Sequence, residues 1–299
     1  MSARLIDGTM AAARLRSELA RRRARLQQRT GIQPTLAVIR VGHDPASAIY
    51  VGNKIKACVA VGIRSLSLEL AEQIETAALV AQIERLNADS DVHGILVQLP
   101  LPRHIDVRRV LESIAVEKDV DGFHLYNVGG LVVGDTIFPP CTPFGVINLL
   151  DQEGIPIAGR NAVVVGASNI VGKPMGLMLL QREATVSICH AKTRDLAQYT
   201  ILADLLIVAA GKPRLIVAPM VKTGAVIIDV GINRMPDGRI TGDVDFDGVA
   251  EKASAITPVP GGVGPMTVTM LLQNTLVAAE RRHISRTDNQ QPQELLQTI

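Results

Sequence analysis

The sequence predicts an α/β protein built on mostly parallel sheets, with two domains. Short runs of β-branched and apolar residues alternate with longer amphipathic stretches along almost the whole chain. Such alternation is typical of strands joined by helical crossovers. A length of 299 residues allows two ordinary domains, each with its own core.

The elements follow in chain order. Strands are predicted over 35–41, 65–70 and 94–97 and helices over 8–28, 45–61 and 75–87 in the first half. Further strands are predicted over 161–166, 185–190, 205–209, 225–230 and 255–257 in the second half, with helices between them. A segment dense in Gly and Pro, from Gly122 to Pro143, predicts the domain junction. The predicted limits are 1–140, completed by a helix over about 266–285, then 141–265, and a flexible tail over 286–299.

Composition excludes several classes of function. The net charge is only +2, and the chain has no Trp, four Phe and three Tyr, so a nucleic-acid partner is not expected. Three well-separated cysteines and six scattered histidines form no metal-ligand pattern, and no metal site is predicted. Neither a signal peptide nor a membrane-spanning run is recognisable, so a cytoplasmic location without membrane attachment is expected.

A tight turn after the predicted strand 161–166 suits a dinucleotide. Gly166 lets the chain turn, and Gly172 lets the following helix pack close to the strand. Backbone N–H groups and a helix dipole then point at one place, which favours pyrophosphate. The spacing is not the usual three-glycine one, because Ser168 and Val171 replace two glycines. A glycine that serves only the turn of an α/β domain is the alternative interpretation.

The end of the next strand favours NADP over NAD. An NAD site usually has an acid there for the ribose 2′-hydroxyl. Here His190, Ala191, Lys192, Thr193 and Arg194 precede the first acid. Three of them, His190, Lys192 and Arg194, are potential cations that suit a 2′-phosphate, and a solvated basic loop is the alternative.

Candidate catalytic groups lie in the first half. Tyr50 and Lys54 are four residues apart on a predicted helix and share a face, whereas Lys56 points elsewhere. Gln98 ends a buried strand, which is a common ligand position in an open sheet. Asp119 and Asp121 lie near the junction, where a helix cap or a turn would also explain them.

Five motifs give a close resemblance to a known family. They are Tyr50-x-x-x-Lys54, Val97-Gln98-Leu99-Pro100-Leu101-Pro102, Lys118-Asp119-Val120-Asp121-Gly122, Pro140-Cys141-Thr142-Pro143 and the run from Pro258 to Thr267. In this order they resemble the bifunctional methylenetetrahydrofolate dehydrogenase/cyclohydrolase family over nearly the whole chain. The resemblance implies a catalytic domain and a Rossmann-type NADP-binding domain with a cleft between them, a homodimer, and folate derivatives as substrates.

The resemblance also implies roles for single residues. Lys54 is expected to be catalytic, Gln98 to hydrogen-bond and tune it, Tyr50 to pack on the folate ring and Asp121 to hold the pterin. The substrate wall is expected to comprise Val97, Leu99, Pro100, Pro260, Gly261, Gly262, Val263 and Gly264. Cofactor contacts are expected from Gly166, Ala167, Ser168, Ile170, Val171, His190, Ala191, Lys192, Thr193 and Ile232. Many family members carry Arg at the position of Ala167, Pro at that of Leu125 and a basic residue at that of Gly130.

Three other functions remain open. A dehydrogenase without hydrolase activity would need most of the same residues. A sensor of NADP or folate without turnover would not need Lys54. A dehydrogenase of the shikimate or amino-acid type would not explain the run from Pro258 to Thr267. A short-chain dehydrogenase is disfavoured, because in that class the nucleotide turn precedes the Tyr and Lys.

Overall fold

The computed structural model describes residues 2–288, and these form two compact units. The first unit contains the chain up to Leu15 and then Leu125–Met270, and the second contains Arg16–His124 and the chain from Leu271 onward. The first helix, α1 (Gly8–Thr30), and the last, α10 (Val263–Asp288), each contribute residues to both units. The predicted domain limits of 1–140 and 141–265 stay a prediction and do not coincide with these units.

A six-stranded parallel sheet forms the centre of the first unit. Its spatial order is β1, β11, β8, β7, β5 and β6. The strands are β1 (Arg4–Leu5), β5 (Asn161–Val165), β6 (Thr185–Cys189), β7 (Leu205–Val208), β8 (Val226–Asp229) and β11 (Ala255–Ile256). The interior strands are buried along most of their length, because helices cover a parallel sheet on both faces. The parallel arrangement predicted for this half is confirmed.

Helices and one small ribbon complete the first unit. The helices are α5 (Leu125–Val133), α6 (Cys141–Gln152), α7 (Gly172–Gln181), α8 (Ala197–Thr200) and α9 (Phe246–Ala250). An antiparallel pair, β9 (Asn233–Arg234) and β10 (Ile240–Thr241), follows β8. These short strands were not predicted, because two-residue elements carry no periodicity that a sequence can reveal.

A three-stranded parallel sheet forms the centre of the second unit, in the order β3, β2 and β4. The strands are β2 (Thr35–Val41), β3 (Arg64–Leu70) and β4 (Gly94–Val97). They alternate with α2 (Pro45–Val61), α3 (Thr76–Ala88) and α4 (Val107–Glu112), and a short 3-10 helix covers Val116–Lys118. All three predicted strands and helices α2 and α3 are confirmed within about one or two residues. In both sheets the carboxyl ends of parallel strands lie at one edge, which is where ligands bind in this class of fold.

Two predictions about regular structure are corrected. The Gly- and Pro-rich segment contains α5, whose Gly130 packs so closely on the carbonyl of Asp135 that a Cβ there would overlap it. Close packing therefore overrides the turn signals of its glycines. The last helix continues to Asp288, beyond the predicted start of the tail at 286, and the rest of that predicted tail lies outside the described residues.

Candidate active site

Lys54 and Gln98 meet in the second unit. Helix α2 begins at Pro45, as predicted, and the carboxylate of Asp44 before it accepts the N–H of Ser47 at 2.7 Å. Lys54 is half-buried on this helix, and its Nζ donates to Oε1 of Gln98 at 3.0 Å. The predicted contact between the amine and the amide is therefore present.

Gln98 is fixed at three atoms. Its backbone N–H donates to the carbonyl of Ile39 at 2.8 Å, which continues the pairing of β4 with β2. Its side-chain Nε2 donates to the carbonyl of Leu99 at 2.6 Å. An ammonium group can only donate, so the amide must present its oxygen to Lys54. Gln98 thus orients the lysine without adding a charge.

The surroundings of Lys54 contain one buried thiol. Cys58 lies four residues later on α2 and is fully buried. Burial raises the pKa of this thiol to about 12, and the nearby charge of Lys54 only partly opposes that rise. Cys58 is therefore neutral at physiological pH. Lys56, as predicted, is exposed on another side of the helix.

Tyr50 precedes Lys54 by one helical turn, and its side chain is 39% exposed. An i,i+4 pair lies on one face of a helix, so an aromatic surface adjoins the amine. Val97, Leu99 and Pro100 follow at the end of β4, where the Leu99–Pro100 peptide is cis. Pro100 is exposed and Val97 is buried, so the loop rather than the strand is accessible to a ligand.

The motif 118–122 divides into structural and accessible residues. Lys118 is buried, and its Nζ donates to the carbonyls of Leu86, Asn87 and Asp89 at 2.7–2.8 Å, at the carboxyl end of α3. Asp119 is also buried and accepts two backbone N–H groups within the following turn. The turn interpretation is thus correct for Asp119, and Lys118 has a structural role that was not predicted.

Asp121 differs from its neighbours in being half-buried. Asp119 pairs with Ile95 in a parallel bridge, so this segment runs beside β4 in the same direction. Asp121 lies in the turn that follows, in which the N–H of Gly122 donates to the carbonyl of Asp119 at 3.1 Å. The second unit thus joins Lys54 to Gln98 directly, and the approach of Asp121 to this pair stays a prediction.

The remaining predicted residues belong to the first unit. Pro260, Gly261, Gly262, Val263 and Gly264 lead into α10, and the Val259–Pro260 peptide is cis. The carbonyl of Gly261 accepts the N–H of Thr9 at 3.0 Å. A Cβ on Gly8 would overlap the carbonyl of Gly262, which explains a glycine where α1 begins.

The predicted nucleotide turn has the expected close approaches. A Cβ on Gly166, where φ is +119°, would overlap the carbonyl of Ala209, and one on Gly172 would overlap the carbonyl of Gly166. Ser168 accepts the N–H groups of Val171 and Gly172 at 3.1 and 3.4 Å. The serine that replaces a glycine therefore caps the start of α7. This cradle fits a dinucleotide, because Gly166, Ala167 and Ser168 leave the backbone at the start of the turn free of bulky side chains.

The turn after β6 is held by its own side chains. The N–H of His190 donates to Oγ1 of Thr193 at 2.9 Å, and the N–H of Lys192 donates to Nδ1 of His190 at 3.1 Å. Ala191, Lys192 and Arg194 are exposed. Asp195, the first acid, accepts the N–H of Ala197 at 3.1 Å, at the start of α8. Exposed cations without an available carboxylate fit a 2′-phosphate better than a ribose hydroxyl.

Sequence analysis missed two carboxylates at the same edge of the six-stranded sheet. Asp229 and Asp243 are both buried, and between them they bind the loops that follow β7 and β8. The signal that could have found them is a glycine within two residues of each aspartate, in Asp229-Val230-Gly231 and in Gly242-Asp243. Predicted cofactor residue Ile232 lies between these motifs and is 46% exposed.

The described part of the chain has neither a cluster of metal ligands nor a membrane-spanning helix. Within residues 2–288, no three His, Cys, Asp or Glu side chains lie close enough together to hold a metal ion. None of the helices in that range is both long and apolar enough to cross a lipid bilayer. All three cysteines are free thiols.

Comparison with known proteins identifies both halves of the chain. Residues 6–121 match the catalytic domain of tetrahydrofolate dehydrogenase/cyclohydrolase, and residues 140–283 match the NAD(P)-binding domain of that family. A bifunctional protein FolD from Nitrosospira multiformis is 61% identical over 283 residues, which covers 95% of this chain and 98% of that protein.

Solved structures agree. The bifunctional FolD methylenetetrahydrofolate dehydrogenase/cyclohydrolase from Campylobacter jejuni has a TM-score of 0.92 and 54% identity, covering 94% of this chain and all of that one. The Trypanosoma brucei enzyme, solved with NADP cofactor and inhibitor, has a TM-score of 0.91 and 39% identity, covering 95% and 99% of the two chains.

Proposed function

We propose that this chain, which belongs to the tetrahydrofolate dehydrogenase/cyclohydrolase family, is a bifunctional enzyme. It oxidises 5,10-methylenetetrahydrofolate with NADP and then hydrolyses the 5,10-methenyl product to 10-formyltetrahydrofolate. The observation that carries the proposal is the hydrogen bond between Lys54 and Gln98, at 3.0 Å on a fixed strand end. An amine held by a neutral amide serves the hydrolytic step, which a plain dehydrogenase does not require.

The first reaction removes a hydride from the one-carbon bridge of the folate and leaves a methenyl cation. Bound NADP supplies the oxidised nicotinamide that accepts this hydride. No general base is needed, so the protein contributes mainly alignment. Asp121 holds the amino group and ring N–H of the pterin, and Tyr50 packs against the ring.

The second reaction adds water to the methenyl carbon. A C–O bond forms, and the bond from that carbon to one folate nitrogen breaks. One proton of the water ends on that nitrogen, and the other is released. Lys54 moves the proton, as a positioned general acid or base does. Oε1 of Gln98 can accept an N–H from Lys54 as an ammonium or as an amine, so the same hydrogen bond orients both forms.

The first unit supplies the groups that hold NADP. Gly166, Ala167 and Ser168 offer a compact backbone turn for the pyrophosphate, with Ile170 and Val171 beside it. His190, Ala191, Lys192 and Thr193 lie where a 2′-phosphate would be recognised. Ala167 carries no charge, so we assign that recognition to the turn after β6.

A homodimer is part of this proposal. Strand β6 is the last in the order of the six-stranded sheet, and an unpaired edge invites pairing with another chain. Several apolar side chains of the first unit are also exposed: Ile188 on β6, Leu180 on α7, Ile201 and Leu202 after α8, and Val132 and Val133 on α5. An apolar patch beside an edge strand favours association of two copies.

A cytoplasmic location, where thiols stay reduced, suits the three free cysteines.

One spectrophotometric experiment tests the proposed activity. Wild-type protein is given methylenetetrahydrofolate with NADP, and the absorbance of the methenyl product is followed. We expect it to appear and then decay as hydrolysis proceeds. Appearance without decay would indicate a dehydrogenase without hydrolase activity, and binding of NADP without turnover would indicate a sensor. A clear preference for NAD would contradict the role of the turn after β6.

A further inference from the structure

Two buried carboxylates connect the loops at the carboxyl edge of the six-stranded sheet. Asp229 is the last residue of β8, and Asp243 follows β10. Both side chains are buried, and no ion pair among the described residues includes either of them. A buried carboxylate is costly unless hydrogen-bond donors surround it. The donors in this case are almost all backbone groups of neighbouring loops.

Asp243 accepts four hydrogen bonds from two separate loops. Its Oδ2 accepts the N–H groups of Ala210 and Gly211 at 2.6 and 2.8 Å. Its Oδ1 accepts the N–H of Lys212 at 2.9 Å and Nδ2 of Asn233 at 2.8 Å. One carboxylate therefore joins the loop after β7 to the loop after β8.

Asp229 fixes Asp243 in turn. Its Oδ1 accepts the N–H groups of Gly231 and Asp243 at 2.9 and 3.0 Å, and its Oδ2 accepts that of Val244 at 2.9 Å. Burial raises the pKa of Asp229 to about 6, although these three donors oppose the rise. The backbone N–H of Asp229 itself donates to Oγ1 of Thr257 at 2.8 Å. The pair is thus attached to β8 and to the residue that follows β11.

The glycines beside the two aspartates fit the pair reciprocally. A Cβ on Gly231 would overlap the carboxylate of Asp243, and a Cβ on Gly242 would overlap that of Asp229. Each carboxylate therefore occupies the space that a side chain on the other motif would need. This mutual fit indicates that the two motifs hold each other in place.

These contacts extend to the nucleotide turn and to Ile232. Ala209, next to the bonded Ala210, presents its carbonyl to Gly166 so closely that only glycine fits there. Ile232 lies between Gly231, which is bonded to Asp229, and Asn233, which is bonded to Asp243. The backbone on both sides of this exposed side chain is therefore fixed.

We propose that Asp243, held in place by Asp229, is a positioning residue for NADP. It fixes the loops 209–212 and 231–233 in the conformation that receives the cofactor, before the cofactor binds. Loops that are already ordered lose little conformational entropy on binding, and this improves affinity. The inference rests on the proposed function for the identity of the ligand, and it assigns to this pair a role separate from that of Lys54.

The substitution Asp243→Asn tests the role. Asparagine offers one acceptor oxygen and directs an NH₂ group at N–H donors, so at least one loop is released. We expect the Kd of NADP, measured by equilibrium titration, and the KM of NADP to rise about tenfold or more. The KM of methylenetetrahydrofolate and the rate of methenyl hydrolysis, which uses no NADP, should stay within about twofold of wild type.

Asp204→Asn is the matched control. Asp204 lies in the same unit but immediately before β7, at the opposite edge of the sheet. Its carboxylate accepts the N–H of Asn161 at 3.0 Å and pairs with Lys222 at 2.6 Å. This variant should lose thermal stability without changing the Kd of NADP. The control therefore shows whether a loss of stability by itself raises the Kd of NADP.

Asn233→Ala covers the case in which Asp243→Asn does not fold. It removes one donor to Asp243 and leaves the carboxylate with three, so we expect the Kd of NADP to rise about threefold. The inference is overturned if the Kd of NADP stays within twofold of wild type in every variant that folds. It is also overturned if the KM of folate rises in parallel. A wild-type protein that binds NADP without oxidising the folate would refute the proposed function, while the Kd comparison would still test Asp243.

Discussion

At the scale of single residues, the neutrality of Gln98 is the main feature of the site. Lys54 receives one hydrogen-bond acceptor and no opposite charge from it. A carboxylate at the same distance would favour the ammonium form, which cannot accept a proton. The amide thus orients the amine without placing an opposite charge beside it.

The substitution Gln98→Glu tests this interpretation. It preserves the shape of the side chain and places a negative charge beside Lys54. Because an opposite charge within hydrogen-bond distance stabilises the ammonium form, we expect methenyl hydrolysis at neutral pH to fall about tenfold or more. The rising limb of its pH profile should move to higher pH. An unchanged profile would show that the protonation of Lys54 does not limit hydrolysis.

At the scale of elements, buried polar residues fix the ends of strands and helices in the second unit. Lys118 binds three carbonyls at the end of α3. His93 precedes β4, and its Nδ1 accepts the N–H of Thr35 at 3.3 Å, at the start of β2. Burial, together with the charges of Arg282 and Lys118, lowers the pKa of His93 to about 4. The imidazole is therefore neutral in the folded protein near pH 7.

This histidine predicts a pH dependence of stability. The unfolded chain takes up a proton at about pH 6.5, whereas the folded chain does so only near pH 4. The stabilisation is therefore complete above pH 6.5 and is lost as the pH falls toward 4, by at most about 3 kcal/mol. His93→Asn keeps a hydrogen-bond acceptor and cannot be protonated. In this variant the free energy of unfolding should therefore fall less between pH 6.5 and pH 4 than in the wild type. Urea unfolding at several pH values measures this free energy. If it changed with pH equally in both proteins, the pH dependence could not be assigned to His93.

The same elements show what a sequence can predict. Strands β2 and β4 and helix α2 were predictable because Asp44, the proline after it and the apolar runs give local signals. The contact of Lys54 with Gln98 was expected from family resemblance alone, since 44 residues separate them. The partners of Lys118 and Asp243 could not be predicted from local signals, because they lie in other elements and only the fold brings them together. Helix α5 was missed because the packing of Gly130 outweighs its turn propensity.

At the scale of the whole molecule, the exposed apolar edge of the first unit predicts an oligomer. Ile188→Glu and Leu202→Glu each place a charge on that surface, and burial of a charge in a subunit interface is costly. We expect either variant to shift the protein from dimer toward monomer in analytical ultracentrifugation. Val59→Glu, at an exposed apolar residue of the second unit, is the control and should remain dimeric. A wild-type monomer at micromolar concentration would contradict the proposed dimer.

The central claim, that one lysine gives this dehydrogenase its hydrolase activity, is tested most directly by methenyl hydrolysis in Lys54→Met. Positioned acid–base groups contribute roughly 10²- to 10⁴-fold, and we expect a loss of that size in the variant. Lys56→Met, which removes an exposed amine two residues away on the same helix, should hydrolyse the substrate at the wild-type rate. If Lys54→Met hydrolysed methenyltetrahydrofolate as fast as wild type, the catalytic role assigned to Lys54 would be wrong.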